Sequence, residues 1–308
     1  MSGIVVTLRA PTVDVTFRAL GTDVRLIATG HGAEAAIGAA REAILDYHAR
    51  LSRFLPESEL SALNRDPRPV VPASALLRSA VRAGMWAAER SGGLVDPCLL
   101  NALEAAGYVG SYRPDGTIRL PSGPPRVATP HPDRSWRAVR VDDDAGTIER
   151  TPGLRLDLGG SGKGHVADLI AERLAQFRSW VVDCGGDVRV GGRRQVQVAH
   201  PLAEAPAAEL TVDGGAVATS SVVSRAWRSS DGRSAHHLLD PCSGHPVQTG
   251  LLSATALATT TLEAETLAKI ALLRGARDAR RVLAGGGGVL VHADGRVETV
   301  GRLLEAAA

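Results

Sequence analysis

The 308-residue chain is short of aromatic side chains, which make up 3% of it, so Leu, Val and Ala must fill its core. Its three cysteines, Cys98, Cys184 and Cys242, stand far apart and form no C-x-x-C pair. That argues against a disulfide framework and a cysteine-built zinc site, and each cysteine reads as a small core or near-turn residue. No apolar run reaches membrane-spanning length, so no membrane span is expected. A net charge of +2 argues against a dedicated nucleic-acid binder, whose basic face would usually show. Lysine is scarce beside arginine. The first residues, Met1 to Arg9, lack a charged segment followed by a long apolar one, and the simplest reading is a soluble, cytoplasmic protein. Internal repeats, a dividing linker and a low-complexity tail are also missing. Residues 1–308 therefore read as a single domain, and 44% hydrophobic residues suit a globular one.

What is there reads as alternating strands and helices. Val13 to Phe17 and Val24 to Ala28 predict a strand pair around Ala19-Leu20-Gly21-Thr22. Ala36, Ile37, Ala40, Ile44, Leu45 and Tyr47 recur at helical spacing over 32–51. Ser58 is placed to cap a short helix carrying Leu60 and Leu63. Ser74 to Arg90 predicts a helix packing Leu76, Leu77, Ala80, Val81 and Trp86, stopped at Gly92-Gly93. Asp96 precedes Pro97 and is held extended. Ser111 to Asp133 is rich in Pro, Gly, Ser and Arg and predicts a long mobile loop. A hairpin follows, turning at Asp142-Asp143-Asp144, which reads as a solvated turn. Later strands are expected at 180–183, 188–190, 195–199, 210–212, 216–220, 251–258 and 289–292. Helices are expected at 261–273 and 276–283.

The most telling stretch runs from Leu154 to Asp168. An apolar strand enters Gly159-Gly160-Ser161-Gly162-Lys163-Gly164, and a helix follows. That order presents backbone N–H groups and a helix dipole to an anion, with Lys163 adding a charge. It is not a P-loop: Gly164 follows Gly162-Lys163 where Ser or Thr belongs, and Asp157 stands where the first glycine belongs. Polar clusters also recur at Asp96-Pro97, at Asp183 to Asp187 and at His236 to Asp240. A histidine beside a buried aspartate suits a general base, while the paired histidines could equally ligate a metal. Ser220 and Ser221 lack a G-x-S-x-G elbow. Glu265 and Lys269 share a helix face, ordinarily as a surface ion pair.

In this order and spacing the clusters resemble the ApbE family of FAD:protein FMN transferases. Leu20-Gly21-Thr22 resembles its Met-Gly-Thr, and Ser52 to Asn64 resembles a helix-edge motif. Gly92 to Pro97 is similar to Gly-Gly-Ala-Phe-Asp-Pro. Leu156 to Asp168 is similar to Leu-Asp-Leu-Gly-Gly-Ile-Ala-Lys-Gly-Tyr-Ala-Val-Asp. Asp183 to Asp187, Thr219-Ser220 and His237 to Pro246 match further motifs. The resemblance implies an α+β, T-fold-like architecture of mixed sheets flanked by helices. It implies FAD bound in a cleft, Mg²⁺ near the pyrophosphate, and transfer of FMN to a Ser or Thr hydroxyl of an acceptor protein, with AMP leaving. Leu20, Phe54, Leu94, Val95, Asp96, Asp157, Lys163 and His237 would contact FAD, and His237 and Glu265 would be catalytic. The metal positions would be Gly160, Glu265 and Lys269. Lys269 departs from the family's oxygen ligand, and its ammonium is expected to take the ion's place. Two alternatives follow: FAD binding without transfer, or FAD pyrophosphate hydrolysis.

Overall fold

The computed structural model describes residues 11–111, 117, 119–120, 125–229, 232 and 234–301. The N-terminal stretch and much of the expected loop over 111–133 lie outside them. The chain opens with β1 (Thr12–Ala19) and β2 (Thr22–Thr29), then α1 (Ala33–Leu51), α2 (Glu59–Arg65), β3 (Val70–Pro72), α3 (Ala75–Arg90) and α4 (Leu100–Ala105). A 3-10 turn over Ser135–Ala138 leads to β4 (Arg140–Asp142) and β5 (Thr147–Glu149). Next come α5 (Gly162–Leu174), β6 (Ser179–Cys184), β7 (Asp187–Val198), β8 (Ala208–Ser221), β9 (Ala226–Arg228) and β10 (Ser234–His236). The remainder is β11 (Leu251–Ala258), α6 (Thr261–Arg274), α7 (Ala276–Leu283), β12 (Gly288–His292) and β13 (Val297–Val300).

Eight strands form the main sheet in the order β1-β2-β6-β7-β8-β11-β12-β13. Two small sheets pair β9 with β10 and β3-β5-β4. The class is α+β, and every ladder between named strands is antiparallel. α1 packs on β1 and β2, α5 on β6 and β7, and α6 on β8 and β11, while α3 lies against α1, α5 and α6. One core cluster joins Leu26, Ile37, Ile44, Val81, Ile148, Leu156, Ile170 and Val182 beneath α1 and α5. A second joins Leu252, Ala256, Ala268, Leu272, Leu283 and Leu290 around α6 and α7. Small side chains at Ala254, Ala256, Ala264 and Ala268 let α6 sit close on the sheet in a protein with few aromatics. No described helix is long and apolar enough to cross a membrane.

Most elements stand where the periodicity puts them, with local exceptions. Trp86 is 39% exposed rather than packed in the core, because the buried face of α3 runs through Leu77, Ala80, Val81, Gly84 and Ala88. β7 and β8 are each one long strand, kept continuous across a register shift between Val190 and Arg193. β3 lies within what reads as a turn-rich connection, and β13 follows the strand expected to be last. Leu154 to Leu158 joins no ladder. The half-buried side chain of Asn64 takes a strand's place there: it donates to Leu156 O at 2.8 Å and accepts from Leu156 N–H at 2.7 Å. Asp157 N–H donates to Pro97 O at 2.8 Å. Of the 111–133 segment, residues 111, 117, 119–120 and 125–133 are described: Arg126 bridges to Gln248, and Ala128 N–H donates to Leu273 O.

Candidate active site

A cleft of about 190 Å³ opens where the β1–β2 turn, the C-terminal end of α1, the glycine loop and α6 converge. Leu20, Phe54, Leu94, Val95, Asp96, Asp157, Gly160, Lys163, His237 and Lys269 all line it. Glu265, the remaining predicted site residue, lies just behind the wall with 1% exposure.

Each wall has a local cause. Leu20 and Gly21 have φ of 57° and 71°, the left-handed pair a two-residue hairpin needs, and Leu20 adopts it without being glycine. Strain of that kind persists where the surroundings hold it, and here it points Leu20 into the cleft. The following Thr22 fills the space above Gly185, where a Cβ would come within 2.0 Å of Thr22 Oγ1. Gly185 and Gly186 thereby make the tight β6–β7 turn that begins β7 at Asp187, and Asp183 Oδ1 closes it by accepting from Gly186 N–H at 2.8 Å. Asp96 Oδ1 accepts from Cys98 N–H at 2.8 Å, and burial pushes the Asp96 carboxyl above the ordinary carboxylate range.

The glycine loop is wired to α6. A Cβ on Gly164 would lie 2.8 Å from the backbone of Leu262, so only glycine lets α5 cross the start of α6 this closely. One turn on, the Asp168 carboxylate accepts from Thr261 and Leu262 N–H at 2.8 and 2.9 Å, capping α6. Gly164 N–H donates to Glu265 Oε2 at 2.9 Å. The first turn of α5 is thus partly spent inside the protein rather than offered to an anion, and the cations at the cleft are side chains.

Four charges cluster there. Lys163 Nζ pairs with Asp187 Oδ2, and Lys269 Nζ pairs with Glu265 Oε1 at 2.9 Å. Burial opposes the charge on Lys163, but Asp187 and Glu265 outweigh it and hold its pKa above the usual lysine value. Burial also works against the Glu265 carboxylate, and Lys269 and Lys163 overcome it, so its pKa falls below the usual glutamate value. Asp187 is raised to about 6, chiefly by burial. Glu265 and Lys269 are therefore not the surface pair their spacing suggests: α6 is enclosed by β8, β11, α3, α5 and α7.

His237 Nδ1 faces Arg225 O at 3.4 Å. Donating there leaves Nε2 as the acceptor, a neutral ring. Burial, aided by Arg225, holds its pKa well below the ordinary value. Asp240 does not orient it. Asp240 instead accepts from Thr129 N–H at 2.7 Å and from the Ser243 hydroxyl at 2.6 Å, organising the loop that follows. His236 is a buried neutral ring bonded to Val247 O at 3.0 Å, lowered to about 4 by burial. Neither histidine belongs to a metal cluster: among the described residues, no three His, Cys, Asp or Glu side chains gather to hold an ion.

Arg53, Tyr108 and Arg225 were not anticipated. Arg53 Nε pairs with Asp157 Oδ2 at 2.5 Å and donates from Nη2 to Tyr108 O at 2.8 Å. Its guanidinium lies over the Phe54 ring at 4.1 Å and the Tyr108 ring at 4.8 Å. Tyr108 stacks on Trp227 with centroids 5.2 Å apart. Asp157 also accepts from Gly159 N–H at 2.6 Å, so its carboxylate holds Arg53 and the loop rather than standing free. In an arginine-rich chain nothing marks Arg53 or Arg225, although Arg53 precedes Phe54 directly.

The ApbE family model matches residues 20–291. The chain belongs to the ApbE family. It is 36% identical over 118 residues to a FAD:protein FMN transferase of Klebsiella pneumoniae, covering 37% of each chain. It is 28% identical over 260 residues to one of Treponema pallidum, covering 73% of this chain and 67% of the relative. In structure it is similar to the ApbE protein of Thermotoga maritima, with a TM-score of 0.79 at 24% identity, covering 94% of this chain and 97% of that one. The Pseudomonas stutzeri flavinyl transferase ApbE gives a TM-score of 0.76 at 20% identity, covering 99% and 100%. These structures share the ApbE fold, and the cleft lies within the stretch the family model spans.

The side chains at the implied Mg²⁺ position do not fit that ion. Mg²⁺ needs an octahedron of oxygens. Lys269 offers only N–H donors, and Glu265 already gives one oxygen to Lys269 and the other to Gly164 N–H.

Proposed function

We propose that this chain is a FAD:protein FMN transferase. The reading rests on one observation: segments as far apart as Leu20, Phe54, Asp96, Lys163, His237 and Lys269 meet on one cleft, which both lysines of the chain line. The apolar wall of Leu20, Phe54, Leu94 and Val95 suits a flat ring system. Lys163, Lys269 and Arg225 suit phosphoryl oxygens.

In the reaction, the hydroxyl oxygen of an acceptor Ser or Thr attacks the phosphorus on the riboflavin side of FAD. The bond from that phosphorus to the bridging oxygen breaks, and AMP leaves with that oxygen. The hydroxyl proton passes to His237 Nε2, which the Nδ1 contact to Arg225 O keeps available. Fixed positive charge at the cleft stabilises the charge that gathers on the phosphoryl oxygens as the bond breaks. Buried Asp187 and Glu265 hold the two ammonium groups in place.

Incubating the protein with FAD and a peptide carrying a Ser/Thr flavinylation site tests this. Mass spectrometry is expected to show FMN on the peptide, with one AMP released per FMN attached. FMN and AMP free in solution would mean pyrophosphate hydrolysis, and bound FAD left intact would mean binding alone. Either result would displace the transferase reading.

A further inference from the structure

The chain has 35 Lys and Arg residues, and only two of them, Lys163 and Lys269, are lysines. Both line the cleft. Everywhere else the chain uses arginine, whose broad planar guanidinium serves for surface pairs and forked contacts. Lysine carries a compact point charge on a slim stem. At both positions the cleft is lined by a small cation rather than by a guanidinium.

The two ion pairs are also oriented. Lys163 and Lys269 line the cleft, and neither Asp187 nor Glu265 does. Each carboxylate is 1% exposed, behind its lysine. A ligand in the cleft therefore meets the positive end of both pairs. The Lys269 side chain runs beside the glycine loop, its Cε 4.0 Å from where a Cβ on Gly160 would stand. Glu265 takes one of its three N–H groups, and no other described residue is bonded to the ammonium. Two donors are left to point at a ligand. A divalent ion beside Gly160 would face this ammonium at close range and would find no free carboxylate oxygen on Glu265.

We propose that Lys269 is a built-in cation that takes the place of the divalent metal, so that its ammonium binds the pyrophosphate of FAD directly and FAD binding needs no Mg²⁺. This rests on the FAD reading above and adds to it which cation the site uses. The buried Glu265 holds the ammonium in position.

The test is titration of FAD into the full chain, followed by flavin fluorescence and calorimetry, in buffer with EDTA and in buffer with MgCl₂. The wild type is expected to bind FAD with the same Kd in both. Lys269→Met keeps the volume and removes the charge, and is expected to weaken binding by about tenfold or more in both buffers, the weight of a lost charge-assisted hydrogen bond. Lys269→Asp supplies oxygens, and is expected to bind weakly in EDTA and to recover with MgCl₂. A wild-type Kd that tightens about tenfold or more on adding MgCl₂, or Lys269→Met binding as tightly as wild type, overturns the proposal while leaving FAD binding intact. No FAD binding by the wild type in either buffer overturns the FAD reading and the proposal with it. The wild-type comparison stands even where a variant fails to fold.

Discussion

Replacing Asn64 by Ala would test whether one side chain holds the glycine loop. Asn64 bonds both the N–H and the C=O of Leu156, at 2.7 and 2.8 Å, in a segment without a strand partner. Leu156 is fully buried, so Ala at position 64 leaves two main-chain groups that water reaches poorly. An orphaned buried polar group costs about 1–3 kcal/mol, and because Asn64 is itself half-buried the lower figure applies to each, about 2 kcal/mol together. For a chain of this size that corresponds to a fall in Tm of roughly 3 °C. The loss is not confined to stability. Leu156 leads directly into Asp157, Gly160 and Lys163, so the variant is also expected to bind FAD more weakly than its change in Tm alone would suggest. Thermal unfolding by circular dichroism and FAD titration of the folded variant measure both effects. An unchanged Tm together with unchanged FAD affinity would refute the reasoning, since the loop would then be holding itself.

Other outcomes follow from the same geometry. Gly164→Ala drives a Cβ into the Leu262 backbone at 2.8 Å, and is expected to cost about 1–3 kcal/mol by forcing α5 and α6 apart; urea unfolding checks it, and a neutral result would mean the two helices slide freely. His237→Ala is expected to lose FMN transfer while FAD binding persists, read by mass spectrometry and titration; unchanged turnover would remove His237 from the proton transfer. His165, bonded to Tyr47 and Ser79, is lowered to about 4 by burial. It therefore stays neutral in the folded protein where the unfolded chain takes up a proton, so its contribution destabilises as pH falls from about 6.5 to about 4. His165→Gln is expected to flatten that part of the stability–pH curve, by at most about 1.4 kcal/mol per pH unit. An equal loss of unfolding free energy between pH 7 and pH 5.5 in the wild type and the variant, read from denaturant titrations, would count against it.

What could be read from the residues, and what could not, divides along physical lines. α1, α3 and α7 follow from local periodicity, because one apolar face must be buried whatever covers it. Leu154 to Leu158 shows the limit of that rule. An extended apolar segment looks the same whether its partner is a neighbouring strand or the side chain of Asn64, 92 residues earlier. His237 and Asp240 show another. Their closeness in sequence suggests a base and its orienting carboxylate, yet Asp240 turns to Thr129 and Ser243, and the ring is held by Arg225 O. Proximity along a chain that bends at Pro241 says little about which side chains meet.

The Glu265–Lys269 pair carries this furthest. Spacing of four residues places them on one helix face, but helical period cannot say whether that face meets water or protein. Exposed, such a pair is worth a few tenths of a kcal/mol. On α6 the exposures are 1% and 8%, and removing one partner leaves an uncompensated buried charge. Lys269→Met is therefore expected to be costly in stability as well as in binding, whereas replacing Glu265 and Lys269 together with apolar residues should recover part of the stability, Gly164 N–H being left without its acceptor, and none of the FAD affinity. That split separates a pair kept for its fold from one kept for its ligand. If the double variant bound FAD as well as the wild type, the ammonium would be only a counter-charge for Glu265.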